Sequence, residues 1–217
     1  MNLIQSILIG LIFCGICHAE ETDPTARKAS WRSLFDGKTL KGWTSTEFGG
    51  EGDVEIEDGQ IILRAGAVLT GITYSDEAEL PKMDYEIRLE AQRVGGNDFF
   101  CGLTVPYADS HFSLIIGGWG GGLVGISSLN SNDASENETS SYHAFKAGKW
   151  YRIRLEVRKR KIQAWIDDER VVNCQVRDRK LSTRPEVDLC KPLGFASYQT
   201  TAALRAIELR RLEPAED

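Results

Sequence analysis

The sequence has 217 residues, with 26 Lys and Arg against 32 Asp and Glu, a formal net charge of −6 and five cysteines. The negative balance and the lack of clustered basic residues exclude nucleic acid as a partner, because phosphate binding needs grouped Lys and Arg side chains. The length beyond the N-terminal segment is typical of one all-β sandwich with a core of useful size.

The chain begins with a segment typical of a secretory signal peptide. Residues 1–19 carry no charged side chain and include the apolar run Leu3–Ile16, which ends near the small-residue site Cys17-His18-Ala19. We expect removal after Ala19. The apolar run is shorter than the roughly 20 residues of a membrane span, and bulky residues precede both cysteines of this segment, unlike in a lipoprotein. The sequence predicts an exported protein, periplasmic or extracellular, without a stable membrane anchor. Polar residues 20–30 predict a mobile leader.

Residues 31–214 predict a single domain of short strands. Apolar and polar residues alternate, with turn signals about every eight to twelve residues, and no segment has the pattern of a long amphipathic helix. The fold class predicted is all-β, a jelly-roll sandwich of two antiparallel sheets. The predicted strands include Val54–Leu63, which is two strands about the Asp58-Gly59 turn, and Asp84–Gln92, Trp150–Arg158, Lys161–Asp168, Leu193–Gln199 and Leu204–Leu212.

A hairpin followed by a glycine-rich loop lies in the middle of the chain. The runs Phe99–Tyr107 and His111–Gly117 flank a short turn, and the loop 117–122 holds Trp119 among glycines. The alternation predicts small and polar side chains on the outer face, which leaves room for a ligand, and a sugar ring could stack on Trp119. The alternative is an ordinary hairpin with Trp119 packed as a lid. The predicted inward set is Phe99, Cys101, Leu103, Val105, Phe112, Leu114 and Ile116.

Familiar catalytic motifs are absent from the sequence: it has no G-x-S-x-G elbow, phosphate loop or H-E-x-x-H pair. Beyond the leader, the histidines are His111 and His143. His111 follows Asp109 at the hairpin end and is the best candidate for a general base, with Asp109 and Glu86 as candidate carboxylates. Glu86 and Arg152 belong to charged strand faces that either are solvated or line a ligand-binding sheet.

An Asx-rich loop over residues 130–139 offers oxygen ligands. Asn132, Asp133 and Glu136 are candidate ligands for a divalent cation such as calcium, which prefers six to eight oxygens. The spacing does not match a twelve-residue calcium loop, and the alternative is a solvated turn. Any other cofactor is unknown from the sequence.

The cysteines beyond the leader are Cys101, Cys174 and Cys190. In an oxidising compartment one disulfide and one free thiol are the natural expectation, and three different single bridges are possible. Cys174 and Cys190 flank a loop and could pair, whereas Cys101 lies on a predicted core face.

A resemblance to a known family covers essentially all of the chain after the leader. The stretch Leu34-Phe35-Asp36-Gly37-Lys38-Thr39-Leu40-Lys41-Gly42-Trp43 resembles the opening signature of the 3-keto-disaccharide hydrolase domain family, also described as 3-keto-glucoside 1,2-lyases and 3-keto-2-hydroxy-glucal hydratases. The likeness continues through residues 57–59, 84–90, 149–153 and 204–212. It implies a concanavalin A-like or laminin-G-like jelly roll that binds its substrate on a concave face.

The resemblance implies cleavage of a 3-keto-glycoside. The ketone at C3 acidifies the C2 proton, so that a base removes it and the aglycone leaves from C1, after which water adds. This chain departs from the family in two places. It has Ser110–Ile115 where the family resembles Gly-Tyr-Glu-Val-Gln-Ile, and Ser197-Tyr198-Gln199 where the family resembles Asp-His-Gly. Catalysis would then depend on Asp109, His111 or Glu86.

The alternative function is a non-catalytic carbohydrate-binding module of the same fold, which needs no base. A third class, an interaction domain in a cell-envelope assembly, would need an exposed apolar patch. The carbohydrate partner would contact predicted stacking platforms and hydrogen-bonding groups, namely Trp119, Trp165, Tyr198, Arg152, Gln199, Asp109, Asn132 and Asp133.

Overall fold

The computed structural model of the chain describes residues 30–214, so the predicted signal peptide 1–19 and most of the predicted leader 20–30 lie outside the described residues. Nearly all of its regular secondary structure consists of antiparallel strands. In chain order they are β1 Arg32–Ser33, β2 Trp43–Ser45, β3 Val54–Glu57, β4 Gln60–Leu63, β5 Leu69–Tyr74, β6 Tyr85–Gly95, β7 Cys101–Tyr107, β8 Ser110–Gly118, β9 Leu123–Ser127, β10 Ser141–Tyr142, β11 Trp150–Val157, β12 Lys161–Ile166, β13 Glu169–Gln175, β14 Gly194–Tyr198 and β15 Thr201–Arg211.

The strands form two antiparallel sheets. The first has the order β13-β12-β11-β6-β15-β4-β3, with β1 also pairing β15, and the second has the order β10-β9-β8-β7-β14-β5-β2. Neighbours in each sheet are distant in the chain at several points, as in β6 beside β15 and β7 beside β14. The predicted all-β jelly-roll sandwich is confirmed.

The main core lies between the sheets and follows the alternation of the strands. In β11, Leu155 is fully buried between Ile87 of β6 and Ala164 of β12, whereas Arg154 and Glu156 point outward. Burying such a side chain contributes about 1.5–3 kcal/mol each. The inward positions of β6, β11 and β12 follow the alternation of apolar and polar residues from which these strands are predicted.

A second, smaller apolar cluster covers the outer face of the second sheet. Leu69 of β5, Ile115 of β8, Leu123 of β9 and Ala196 of β14 share this face, and a short 3-10 helix, Pro185–Cys190, packs over it. The second sheet is therefore covered on both faces, and the candidate site described below lies in this cover.

Helical structure in residues 30–214 consists of two 3-10 helices, Glu77–Glu79 and Pro185–Cys190. Neither has the length and apolar character needed to cross a membrane.

The thiols of Cys101, Cys174 and Cys190 are free and buried. Cys101 and Cys174 belong to the core between the sheets, whereas Cys190 belongs to the outer cluster of the second sheet. The open possibility of a Cys174–Cys190 bridge is therefore not realised, because the second sheet separates the two clusters. Burial raises the pKa of Cys101 and of Cys190 to about 12, which makes both thiols poor nucleophiles.

The opening signature builds the sandwich rather than a site. The carboxylate of Asp36 accepts hydrogen bonds from the backbone N–H groups of Lys38 and Thr39 and from the Thr39 hydroxyl, at 2.8, 2.7 and 2.7 Å. These bonds lower the pKa of Asp36 to about 2. The indole of Trp43 is buried in the core and donates to the Leu34 carbonyl at 2.7 Å.

The central hairpin forms as predicted, with β7 and β8 in the register Val105↔Phe112 and Leu103↔Leu114. One residue of the predicted inward set is wrong. Phe100, not Phe99, enters the core between the sheets, and Phe99 lies on the outer face. The alternation does not hold before Cys101, because β7 begins only there.

Candidate functional site

An open pocket of about 340 Å³ lies on the outer face of the second sheet. Aromatic side chains border it, one charged cluster lies at its edge, and the 3-10 helix Pro185–Cys190 forms one wall. The lining residues are Val68, Leu69, Asp98, Phe99, Ile115, Trp119, Ser127, Arg184, Glu186, Val187 and Tyr198.

A row of mostly small residues crosses the outer face of the sheet at the pocket. The paired row runs from Gly71 through Ala196, Gly102 and Ile115 to Gly125. Neighbouring groups fill part of this space. A Cβ on Gly102 would lie 3.1 Å from the Phe99 ring, and one on Gly125 would lie 2.9 Å from the Ala134 carbonyl. Ile115 is the member of this row that lines the pocket.

The loop that carries Trp119 is held from below by Arg93 of β6. The guanidinium Nη2 donates to the Gly121 carbonyl at 2.7 Å and to the Gly117 carbonyl at 3.2 Å. From the side, Asp98 accepts the backbone N–H of Gly120 at 3.2 Å. Trp119 itself remains 44% exposed. An exposed indole on a backbone fixed at three points is suited to contact a ligand.

Arg93 is unusual for a buried arginine. It is 6% exposed, its guanidinium lies 5.2 Å from the centre of the Phe100 ring, and its Nε has no hydrogen-bond partner. Burial lowers the pKa of Arg93, and the nearby charge of Asp98 opposes this shift. Because Arg93 spans from the first sheet to the loop of the second, it links the core to the pocket.

The charged side chains at the edge of the pocket form ion pairs with one another. Arg184 donates from Nη1 to Asp133 and from Nη2 to Glu186, each at 2.8 Å. The bond from Arg184 lowers the pKa of Glu186, which keeps that carboxylate charged. The pocket therefore presents paired charges rather than a free cation.

A hydroxyl row lies below the charged edge. Thr104 and Ser113 share a hydrogen bond of 2.8 Å, and Ser127 is the next residue in the same row. Ser127 lines the pocket, and its buried hydroxyl has no hydrogen-bond partner. An unpaired buried hydroxyl is costly, which distinguishes this side chain from the paired Thr104 and Ser113.

Of the predicted stacking and binding residues, Trp119 and Tyr198 line this pocket. The Tyr198 ring lies 5.9 Å from the Phe99 ring, centre to centre. Gln199 lies beside the pocket without lining it, because its side chain donates to the Ala67 carbonyl at 3.0 Å.

Asp109 and His111, the candidate catalytic residues at the end of the hairpin, lie outside the pocket. Asp109 is fully exposed and 3.6 Å from Lys82. His111 is four residues before Ile115 on β8, about 13 Å along the strand. Burial, and then the charge of Lys191, lower the pKa of His111. Asp109 and His111 are not among the residues that line the pocket.

The remaining predicted residues lie on the outer face of the first sheet, on the other side of the sandwich. Glu86 is buried between Arg154, at 2.6 Å, and Arg210. Arg154 also stacks on Trp165 at 3.5 Å, and Arg152 forms an ion pair with Asp168 at 3.0 Å. On this face Glu86 is part of an ion-pair network. Because Glu86 belongs to the first sheet and Asp109 to the β7–β8 turn of the second, the two carboxylates do not meet in one cleft.

The oxygens of the Asx-rich loop bind within the loop and to Arg184. Asp133 accepts the hydroxyl of Ser135 at 2.6 Å and pairs with Arg184. Asn132 and Glu136 are exposed. Nowhere in residues 30–214 do three His, Cys, Asp or Glu side chains group as a metal site would require. Asp133 and Glu136, two of the expected calcium ligands, therefore belong to no such group.

Sequence reasoning missed several pocket residues. Asp98 adjoins the hairpin, and its position beside a glycine-rich loop was an available signal. Arg184 and Glu186 come from a loop far away in the chain, and Ser127 ends a strand whose register the sequence alone does not define. No local pattern connects these four residues.

The fold and the site define a class, that of jelly-roll domains with an open pocket on one outer face of the sandwich. The model of the 3-keto-α-glucoside-1,2-lyase-like domain family matches residues 30–210. The chain belongs to this family, which confirms the resemblance found in the sequence. No curated protein matches the sequence significantly.

Solved structures share the fold at low sequence identity. A "putative glycosyl hydrolase" from Parabacteroides distasonis has a TM-score of 0.52 and 12% identity, over 84% of this chain and 94% of that chain. Crh5 transglycosylase in complex with NAG has a TM-score of 0.55 and 11% identity, over 87% and 86%. Domain 4 of AbnA, an extracellular arabinanase from Geobacillus stearothermophilus in complex with arabinotriose, has a TM-score of 0.50 and 12% identity, over 78% and 82%. At these identities the likeness shows the fold alone.

Proposed function

We propose that this domain binds an uncharged saccharide in the pocket on the outer face of the second sheet. The observation that carries the proposal is that three aromatic side chains, Phe99, Trp119 and Tyr198, border one open pocket of about 340 Å³. Aromatic faces offer apolar surface to a sugar ring. The volume is within the range of about 300–1,000 Å³ that is usual for small-molecule sites.

The charges of the pocket favour an uncharged ligand. A sugar carboxylate, sulfate or phosphate would need an available cation, but Arg184 is already paired with Asp133 and Glu186. Arg93 is buried below the Trp119 loop. Asp98 and Glu186 would accept hydrogen bonds from sugar hydroxyls, and the unpaired Ser127 hydroxyl adds a further group.

The test is calorimetric titration of the protein with neutral oligosaccharides. Trp119→Ala should lower the affinity by about tenfold or more, because an exposed stacking platform is lost without damage to the core. The matched control is Trp165→Ala on the opposite face, which should bind as the native protein does. Equal binding by the Trp119→Ala variant, or no binding by the native protein, would refute the proposal.

A second candidate function is cleavage of 3-keto-glycosides, which is favoured by the family match over residues 30–210. A base would take the C2 proton, the aglycone would leave C1 as the double bond forms, and water would then add. Asp98 and Glu186 are the carboxylates of the pocket. Asp98 accepts backbone N–H groups, and Glu186 is paired with Arg184, which lowers the pKa of Glu186 and weakens it as a base.

The two functions separate on incubation with 3-keto-trehalose, with and without a chelator. The binding proposal expects a complex and no product. Product formed by the native protein and lost in Glu186→Gln would establish the lyase function in this pocket. His111→Ala is the second variant. If this variant forms no product while Glu186→Gln does, the reaction takes place at the hairpin end and not in the pocket.

A further inference from the structure

The pocket is part of a longer row of side chains that crosses the second sheet. Strand pairing or a backbone hydrogen bond joins each residue of this row to the next, with one exception. The exception is Gly118, which lies beside Phe99 without such a bond; a Cβ on Gly118 would be 3.9 Å from the Phe99 Cβ. Residues directly opposite each other in antiparallel strands point to the same face. The row is Leu69, Tyr198, Phe99, Gly118, Leu123 and Tyr142.

Tyr142 is the outermost member of this row. It pairs with Leu123, whose side chain belongs to the outer apolar cluster, so Tyr142 faces the same side as the pocket. Tyr142 is 70% exposed, more than the other large hydrophobic side chains that are exposed in residues 30–214. It lies on β10, a two-residue strand at the edge of the sheet.

The dimensions of the row exceed one sugar ring. With strands about 4.8 Å apart, the Tyr142 backbone lies about 10 Å from Gly118 and about 19 Å from Tyr198. Trp119 follows Gly118 in the loop after β8 and lines the pocket together with Tyr198. Tyr198 and Tyr142 therefore belong to one row across the strands, and Trp119 adjoins the member of that row between them, Gly118.

The two ends of the row differ. At the end beside Leu69, Phe48 packs against Gly71, with its Cε2 3.2 Å from the Cβ position of that glycine. At the other end, the sheet stops at β10 and the Tyr142 side chain faces solvent. A ligand held in the pocket would be enclosed at the Phe48 end and would extend toward Tyr142.

We propose that the ligand is a linear neutral oligosaccharide of several rings and that Tyr142 is a second stacking subsite outside the pocket. This inference rests on the function proposed above and adds to it the length of the ligand and its direction across the strands. The pocket holds the terminal rings, and Tyr142 contacts a ring further along the chain.

The test is titration with linear neutral oligosaccharides of one to six rings, using α-glucans, β-glucans, mannans, xylans and galactans. Affinity should rise with length and then level off. Tyr142→Ala should lower the affinity for the longest chains by roughly three- to tenfold, the contribution of one stacking contact, and leave mono- and disaccharides unchanged. Tyr142→Phe keeps the aromatic face and should bind as the native protein does.

Each outcome is decisive. Trp119→Ala should weaken every length, which separates the pocket from the outer subsite. Binding that does not depend on length, or that is unaffected by Tyr142→Ala, would overturn the inference and leave the proposed function intact. No binding to any of these saccharides would overturn both.

Discussion

At the residue scale, the position of the Trp119 loop depends on a contact between Gly117 and Arg93. Gly117 has a φ of 81°, and a Cβ at this position would lie 2.6 Å from Nη2 of Arg93 and 2.9 Å from the Phe100 ring. Arg93 can approach the Gly117 carbonyl only because the glycine has no side chain. The Trp119 loop is therefore positioned by a close contact between the two sheets.

We expect Gly117→Ala to destabilise the protein more than Gly120→Ala. Both glycines have left-handed backbones, with φ of 81° and 83°, but nothing lies within 4 Å of a Cβ on Gly120. Gly120→Ala should cost about 1 kcal/mol for the backbone alone, and Gly117→Ala about 2–4 kcal/mol because it also displaces Arg93. Urea unfolding followed by tryptophan fluorescence measures both. Equal losses would contradict the close contact.

His111 should make stability depend on pH. Burial and the nearby Lys191 and Lys82 lower its pKa below the ordinary 6.5, although Glu77 and Asp188 act in the opposite direction. The folded state therefore favours the neutral imidazole. This contribution is fully present above pH 6.5, the pKa of the unfolded chain, and is lost as the pH falls toward the lower folded pKa.

The check is the free energy of unfolding measured from pH 7.5 to 5 for the native protein and His111→Gln. The native protein should lose more stability over this range than the variant, which has no imidazole to protonate. Parallel curves would show that His111 does not contribute.

At the scale of the element, β15 carries an irregularity that the sequence did not predict. Its register with β6 shifts between Arg205 and Glu208, and Ala206 has a φ of 51°. This bulge keeps Leu204 and Ile207 buried on the same side although they are three residues apart. An exposed alanine in a left-handed conformation carries a cost of about 1–2 kcal/mol.

Ala206→Gly should therefore stabilise the protein, by about 0.5–1 kcal/mol after allowance for the greater freedom of glycine in the unfolded chain. The matched control is Ala203→Gly in the same strand, which is buried, is paired with Ile62 and Gln92, and should destabilise by about 1 kcal/mol. Chemical denaturation of the two variants gives the comparison. Destabilisation by both substitutions would show that the bulge does not strain Ala206.

The elements were predictable from the sequence because local alternation determines them. The hairpin follows from the Asp58-Gly59 turn signal between two alternating segments, and the inward face of β11 follows from a period of two. Phe99 was assigned to the wrong face because the alternation was extended beyond the end of β7. The charged edge of the pocket was not predictable, since Arg184 reaches Asp133 from 51 residues away. Such contacts depend on the packing of loops, for which the sequence has no periodic signal.

At the scale of the whole molecule, the two outer faces of the sandwich differ in chemistry. The outer face of the first sheet is an ion-pair network in which arginines stack on tryptophans, as Arg205 does on Trp150 at 4.0 Å. The outer face of the second sheet carries the apolar cluster and the pocket. Both faces depend on the shared core, because β6 supplies Glu86 to one and Arg93 to the other.

This dependence is tested by Leu155→Asp, since Leu155 is fully buried in the core between β6 and β12. An unpaired buried carboxylate costs several kcal/mol, a large part of the roughly 5–15 kcal/mol that holds a domain folded. We expect the variant to be largely unfolded by circular dichroism and to lose saccharide binding. Gln175→Asp is the control, because it is exposed on the edge strand β13 opposite Lys161 and should unfold as the native protein does. Leu155→Ala should lie between them, with a loss of about 2–5 kcal/mol. Normal thermal unfolding of Leu155→Asp would mean that the inward face of β11 has been assigned to the wrong side.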